Sequence, residues 1–195
     1  MPVSLMVVSP AASEPVSLTE AKLHLREDGT EQDTIIEGLI TAAREYVEGQ
    51  IGRYLMTQTI RQLFDDFPAS GNPIRLDVTP VQSVSSVNYL DTDGVATVLD
   101  TDDYRSDVVS EPARIEEHYD EAWPASRVVS NCVWVDVIAG YANAASVPRG
   151  LKQAILLLVG HWFENREAVA IGTITSEVPL AAQALMNRWT VYSRN

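Results

Sequence analysis

The sequence has a single cysteine, few basic side chains and no long hydrophobic run. Because Cys132 is the only cysteine in 195 residues, an internal disulfide and a cysteine-rich metal site are both excluded. Cys132 lies in the apolar pattern CVWVDVI without the basic neighbours that activate a catalytic thiol, which indicates a buried, inert side chain. No run reaches the roughly 18 apolar residues of a membrane span, and residues 1–8 lack the basic start of a signal peptide. We therefore expect no membrane partner and a protein that stays in the cytoplasm of the cell that makes it.

Signatures of catalysis and of nucleotide binding are also missing. The sequence contains no H-E-x-x-H, no G-x-S-x-G, no G-x-x-x-x-G-K-[ST] and no G-x-G-x-x-G. The three histidines, His24, His118 and His161, lie far apart. We interpret His161, in the most apolar predicted helix, as a core residue and His118, among acids, as a pH-sensitive surface group. The sequence therefore predicts a protein that is not an enzyme and has no catalytic, cofactor-binding or metal-binding residue.

Five aspartates lie close together between Asp91 and Asp103 and raise the question of a metal site. A calcium loop of the EF-hand type that began at Asp91 would need an oxygen ligand at its fifth position and glycine at its sixth. Val95 and Ala96 occupy those positions, so the pattern fails. We interpret the stretch as a hairpin turn followed by a solvated acidic loop. A metal-dependent enzyme that uses the Asp91–Asp103 cluster is the alternative from a different functional class.

Charge is distributed unevenly along the chain, whose formal net charge is −13. Residues 1–146 hold 24 acidic and 9 basic side chains, whereas residues 147–195 hold 3 acidic and 5 basic ones. A strongly acidic body repels the phosphate backbone, so we expect no ordinary binding to nucleic acid. The weakly basic C-terminal part would suit an acidic surface on a partner.

Two long amphipathic stretches predict the helices of the core. Residues 33–51 place apolar side chains at steps of three and four, and Gly52 follows where a helix would end. We expect the opposite face to meet water; it carries Glu37, Thr41, Arg44, Glu45 and Glu48. Residues 148–163 are apolar nearly all round, so this helix should be the most buried element. Shorter helices are predicted after the capping box Ser17–Glu20 and after Pro179.

Between these helices the hydrophobic period is two, which is typical of strands. The fold class predicted is therefore α+β: a helical core from the N- and C-terminal parts, with an inserted antiparallel β region. Four segments follow from this interpretation. They are an N-terminal arm with core helices (1–56), a β-rich insertion (57–138), core helices (139–186) and a C-terminal tail (187–195). Within the first, residues 1–15 are interpreted as an extended arm.

Four stretches of the sequence resemble one known protein family. They are EPVSLTEAKLHLR (14–26), AAREYVEGQIGRYLMTQTI (42–60), IAGYANAASVPRGLKQAILLLVGHWFENREAV (138–169) and EVPLAAQALMNRW (177–189). In this order they resemble the head–tail connector (adaptor) proteins of long-tailed bacteriophages and gene transfer agents. The acidic middle of the chain does not share the resemblance.

The resemblance implies a structural role in virion assembly. Such a protein forms a homo-oligomeric ring, dodecameric in the particle, beneath the portal protein and joins the capsid to a downstream neck or tail protein. DNA would pass through its central channel without specific binding. The expected location is the virion neck, after assembly in the host cytoplasm. Another neck component, a stopper or a tail terminator, is the alternative within the same class.

The C-terminal tail is the segment that we expect to contact the portal. The resemblance implies portal contact by this segment, and the tail combines amphipathic aromatics with basic side chains and no acid. Aromatics of this kind either fold back on the core or anchor an interface, and the resemblance favours the interface. The residues assigned to it are Arg188, Trp189, Val191, Tyr192 and Arg194.

Overall fold

The computed structural model describes residues 4–165 and 179–191 and has the predicted α+β architecture. The elements in order are β1 (Ser4–Ser9), α1 (Leu18–Leu25), α2 (Asp33–Ile51), β2 (Gln58–Phe64), β3 (Ile74–Leu76), β4 (Val81–Leu90), β5 (Ala96–Val98), β6 (Tyr104–Asp107), β7 (Ala113–Glu117), β8 (Val133–Ala139), α3 (Arg149–Glu164) and α4 (Leu180–Asn187). The prediction of a β region inserted between helices is confirmed. The chain packs as two compact units, a β unit (Met1–Ala12 and Thr57–Ala142) and a helical unit (Ser13–Met56 and Asn143–Asn195).

The helical unit is built on α2 and α3, as the hydrophobic pattern predicts. The capping box before α1 is present: the Ser17 hydroxyl accepts from the Glu20 amide, and the Glu20 carboxylate accepts from the Ser17 amide. Helix α2 ends at Gly52, whose φ of 67° is in the left-handed region that glycine adopts without strain. The buried side chains that α2 and α3 contribute to the core are Ile36, Ile40, Ala43, Val47, Ile51, Leu151, Ala154, Ile155, Leu158 and Val159.

The expectation that Arg44 and Glu48 face water is wrong. Arg44 is only 6% exposed, and its guanidinium donates to the carboxylates of Glu14 and Glu48, at 2.8 Å each. Glu48 also accepts the backbone N–H of Leu55. The polar face of α2 is therefore covered in part by the segments before α1 and after α2, and a buried cation is tolerable there because it is paired.

The β unit contains two antiparallel sheets. The first has the strand order β1-β2-β8-β4-β5 and the second the order β3-β7-β6. Strands β2 and β8 pair along their whole length and alternate between buried and half-buried positions, as a sheet with one covered face requires. On the outer face the Arg61 guanidinium binds both carboxylate oxygens of Asp136, at 2.7 and 2.8 Å, and lies over the Trp134 ring.

The N-terminal arm is partly a strand. Residues 4–9 pair with β2 from Ser4 opposite Leu63 to Ser9 opposite Thr59, with an irregularity between Val7 and Ser9. Strand β1 is one edge of the first sheet, and all six of its residues are exposed. The sequence pattern does not reveal this strand, because its apolar residues do not alternate with polar ones.

Candidate assembly surfaces

The acids of the 91–103 stretch hold turns in shape. The Asp91 carboxylate accepts the backbone N–H groups of Asp93 (3.0 Å) and Val95 (2.8 Å), and Gly94 has a φ of 84°. The Asp100 carboxylate accepts the N–H of Asp102 at 3.1 Å. The turn joins β4 to β5, so the hairpin interpretation is confirmed. Among the described residues no group of three or more His, Cys, Asp or Glu side chains could hold a metal ion.

Two further acids of the β unit accept several backbone amides each. The Ser110 hydroxyl and amide, with the Val109 amide, lower the pKa of Asp107 to about 2. The backbone N–H groups of Gly71 (2.6 Å) and Trp123 (2.9 Å) lower the pKa of Glu117. Glu117 therefore ties two loops to the end of β7, and Trp123 stacks on Phe67 with ring centroids 5.2 Å apart. These carboxylates are negative at neutral pH and build surface loops.

The acidic excess of the chain belongs mainly to the β unit. This unit holds 15 acidic and 5 basic side chains, a net charge of −10, and the helical unit holds 12 and 9, a net charge of −3. His118, at the end of β7, is exposed as predicted. The core interpretation of His161 is wrong: the side chain is half-buried in the last turn of α3, and its Nδ1 lies 3.5 Å from Nδ2 of Asn165.

The C-terminal segment contacts the helical unit up to the last residue that the structure describes. The Val191 amide donates to the Ile51 carbonyl (2.8 Å), and Arg53 Nε donates to the Trp189 carbonyl (3.0 Å). Trp189 is half-buried beside Gly150, where a Cβ would lie 3.9 Å from the indole nitrogen. Residues 189–191 are thus anchored at the C-terminal end of α2 and the N-terminal end of α3.

Only part of the predicted portal surface can be located. Arg188 is exposed, with its guanidinium 5.9 Å from the Trp189 ring, and Val191 is exposed. Tyr192 and Arg194 lie outside the described residues. The sequence pattern does not identify Arg53 and Gly150 as the residues that hold this segment. Gly150 directly after Pro148-Arg149 was the available signal, because a glycine in the first turn of a helix leaves room for a neighbouring side chain.

None of the described helices has the length and apolar character that a bilayer span requires.

Comparison with known proteins gives consistent matches. A family model described as head completion protein (HCP) matches residues 15–178. A chain in the virion of a native gene transfer agent particle superposes with a TM-score of 0.78 at 24% identity, covering 98% of this chain and 97% of that one. A chain in the neck of an empty gene transfer agent particle, computed with C6 symmetry, gives the same values. One in the neck of a native particle, computed with C12 symmetry, has a TM-score of 0.73 at 23% identity over 100% and 98%. The comparison with curated protein sequences finds no match.

Proposed function

The chain belongs to the head completion protein family, and from this premise we propose that it is a structural head–tail connector that forms a ring beneath the portal protein. The match over residues 15–178 carries the proposal, since it includes α1–α3 and every described strand except β1. The similarity of the fold to chains in particle necks supports it. The role is assembly, and no catalytic step is part of it.

The charge distribution supports a channel that does not retain DNA. Surface acids repel phosphates, and a protein with few bases gains little from the release of counterions. In the β unit the acidic loops around Asp91, Asp107 and Glu117 are fixed by backbone hydrogen bonds, so their charges occupy defined positions. We propose that these loops keep the ring from adsorbing the DNA that passes through it.

The C-terminal segment is the proposed portal contact. Residues 189–191 are already held on the helical unit, which limits the conformational freedom lost on binding. Arg188 and Val191 are exposed beside them, and Tyr192 and Arg194 follow in sequence. In this arrangement Trp189 positions the segment, while Arg188 and Val191 are available to a second protein. Tyr192 and Arg194 are assigned to the same contact from the sequence alone.

The test is co-sedimentation with the portal protein encoded with this chain. We expect Arg188→Glu to lower the affinity about tenfold or more, as loss of a well-placed interface arginine typically does. Arg105→Glu, at a position on β6 that is also exposed, is the matched control and should bind normally. Both variants should keep the melting temperature of the unaltered protein. Normal binding by Arg188→Glu would contradict the assignment of this segment, and absence of binding by the unaltered protein would contradict the connector role.

Truncation separates the portal contact from folding. Deletion of residues 192–195 should weaken portal binding and leave the melting temperature unchanged. Deletion from residue 187 also removes the Val191–Ile51 and Arg53–Trp189 hydrogen bonds, so a lower melting temperature is expected for that variant.

Binding of the unaltered protein to tail tube in place of portal would identify a stopper or tail terminator. Light scattering measures ring formation. The isolated chain should associate weakly, because its net charge of −13 opposes crowding, and it should form a ring on the portal.

A further inference from the structure

Strand β1 is an uncharged, apolar sheet edge that is open to solvent. Its sequence is SLMVVS, and the exposed fractions of its large side chains are 41% for Leu5, 47% for Met6, 51% for Val7 and 45% for Val8. An edge strand offers a row of backbone donors and acceptors to any other strand, and proteins usually block such edges with charge or proline. Neither is present between Ser4 and Ser9, so this edge is suited to pairing.

Charge favours a second copy of the chain as the occupant. Copies whose β units each carry −10 repel one another, and the repulsion is least where no ionisable side chain lies. Residues 1–13 contain none. An uncharged β1 can therefore approach an acidic neighbouring copy at a lower electrostatic cost than an acidic loop of the same unit could.

The opposite edge of the same sheet offers the complementary surface. Strand β5 pairs with β4 on one side only, from Asn88 opposite Val98 to Leu90 opposite Ala96, and ends the strand order. Val95 and Val98 are 60% and 64% exposed. Among the described residues no strand covers the outer side of β1 or of β5.

We propose that β1 of one copy pairs with β5 of the next, so that the five-stranded sheets become continuous from subunit to subunit. The proposal rests on the ring assigned under the proposed function. A cyclic assembly of identical chains needs two different surfaces on each copy, whereas pairing of β1 with β1 would close a dimer. Because β5 has only three residues, the contact contributes few ladder hydrogen bonds and is weak in isolation. This explains how a ring can form on a portal without forming in free solution.

Cross-linking tests the pairing. The double variant Val7→Cys/Val98→Cys is treated with a short bismaleimide in two samples, one of free protein at high concentration and one of protein bound to portal. The native Cys132 is not replaced, because it is fully buried. We expect a ladder of dimers, trimers and larger species in at least one of the two samples. Either single variant should give no ladder. The pair Val109→Cys/Val128→Cys, at 91% and 97% exposure, controls for random collision and should give none.

The outcomes separate this inference from the proposed function. No ladder in either sample of the double variant, a ladder equal to that of the collision control, or dimers from Val7→Cys alone would each overturn the β1–β5 pairing. Portal binding without a ladder of cross-linked species would contradict the β1–β5 pairing and agree with the connector role. A ladder in the concentrated sample, together with no binding to portal, would support the β1–β5 pairing and contradict the connector role.

A charge substitution provides a second readout on the reduced, unlinked protein. Val7→Glu should lower the number of copies bound per portal in sedimentation at least severalfold, because it places an acid in the uncharged edge. Val128→Glu is the matched control and should bind in the normal number. Circular dichroism verifies that both variants are folded. A normal number of bound copies for folded Val7→Glu would overturn the proposal.

Discussion

Acidic side chains of the helical unit form ion pairs largely with basic side chains, whereas acidic side chains of the β unit accept hydrogen bonds largely from backbone amides. Arg44 joins Glu14 and Glu48 at 2.8 Å each, and Lys152 joins Glu20 at 2.9 Å. In the β unit Asp91, Asp107 and Glu117 each accept at least two backbone N–H groups. An ion pair cancels charge, and an amide does not.

This difference explains why the two units have similar numbers of acids and different net charges. An acid that accepts amides shapes a loop and keeps its negative charge, which a half-exposed arginine, Arg114, offsets in part at Asp107. Acids paired with a buried arginine hold segments together, and the arginine cancels part of their charge: Arg44 offsets one of the two negative charges of Glu14 and Glu48. The acidic character of the chain is therefore a consequence of how the β unit builds its turns.

The largest effect that the comparison predicts is the loss of Arg44. Arg44→Ala leaves Glu48, whose side chain is 11% exposed, without its buried cation, and should lower the free energy of unfolding by about 3–5 kcal/mol. Arg114→Ala removes a half-exposed arginine that joins Asp107 and Glu116 in the β unit, and should cost at most about 1 kcal/mol. Urea unfolding gives both values. Equal losses would show that the two units do not differ in their dependence on ion pairs.

The apolar core of the helical unit gives a somewhat smaller expected effect. Leu158 is fully buried on α3, so Leu158→Ala should cost about 2–5 kcal/mol through lost transfer energy and a cavity. Glu45→Ala, with a 64% exposed side chain on α2, should stay within about 0.5 kcal/mol. The urea midpoints of unfolding of the two variants measure both losses. A small loss for Leu158→Ala would mean that ion pairs, and not α3, hold this unit together.

The pH dependence of the melting temperature distinguishes an acid held by backbone amides from one buried beside an arginine. Hydrogen bonds from Gly71 and Trp123 lower the pKa of folded Glu117, so its contribution to stability is present above the unfolded value of 4.5 and is lost as pH falls through the folded pKa. Burial raises the pKa of Glu48, so its ionisation opposes folding as pH rises above 4.5. We expect Glu117→Gln to lower the melting temperature at neutral pH, with the difference shrinking as the pH falls below 4.5 and through the lowered pKa of folded Glu117.

The matched control for this titration is Glu121→Gln, at an exposed position four residues away. Its melting temperature should follow that of the unaltered protein at every pH. A deficit of Glu117→Gln that stays constant with pH would mean that the carboxylate charge does not matter to the loops it joins.

The smallest expected effect is the response to DNA. Residues 87–121 hold 11 acids and only Arg105 and Arg114 as bases, so few phosphates can be neutralised. Fluorescence anisotropy with a labelled duplex should detect no binding at physiological salt. Micromolar affinity with a steep salt dependence would contradict the account of the β unit as a repelling surface.

Local sequence predicted the elements whose partners are near in the chain. The period of α2 and α3, the capping box at Ser17 and the turn at Asp91 were all evident from a few adjacent residues. Contacts between distant residues were not. Arg44 looks solvent-facing until Glu14 is placed beside it, and Trp189 gains its position from Arg53 and Gly150. The four-segment division at residues 56, 138 and 186 stays a prediction, which limited proteolysis can test.

The strand order of the first sheet has a consequence for the time course of synthesis. Strand β1 is translated before α1 and α2, and its partner β2 begins only at Gln58. The central strand β8 ends at Ala139, and α3, on which α2 packs, comes later still. A nascent chain that has not passed Ala139 therefore contains neither unit in full, and pairing between distant segments slows folding further. The uncharged β1 segment therefore has no strand to pair with until β2 has been made, and no complete sheet until β8 has been made.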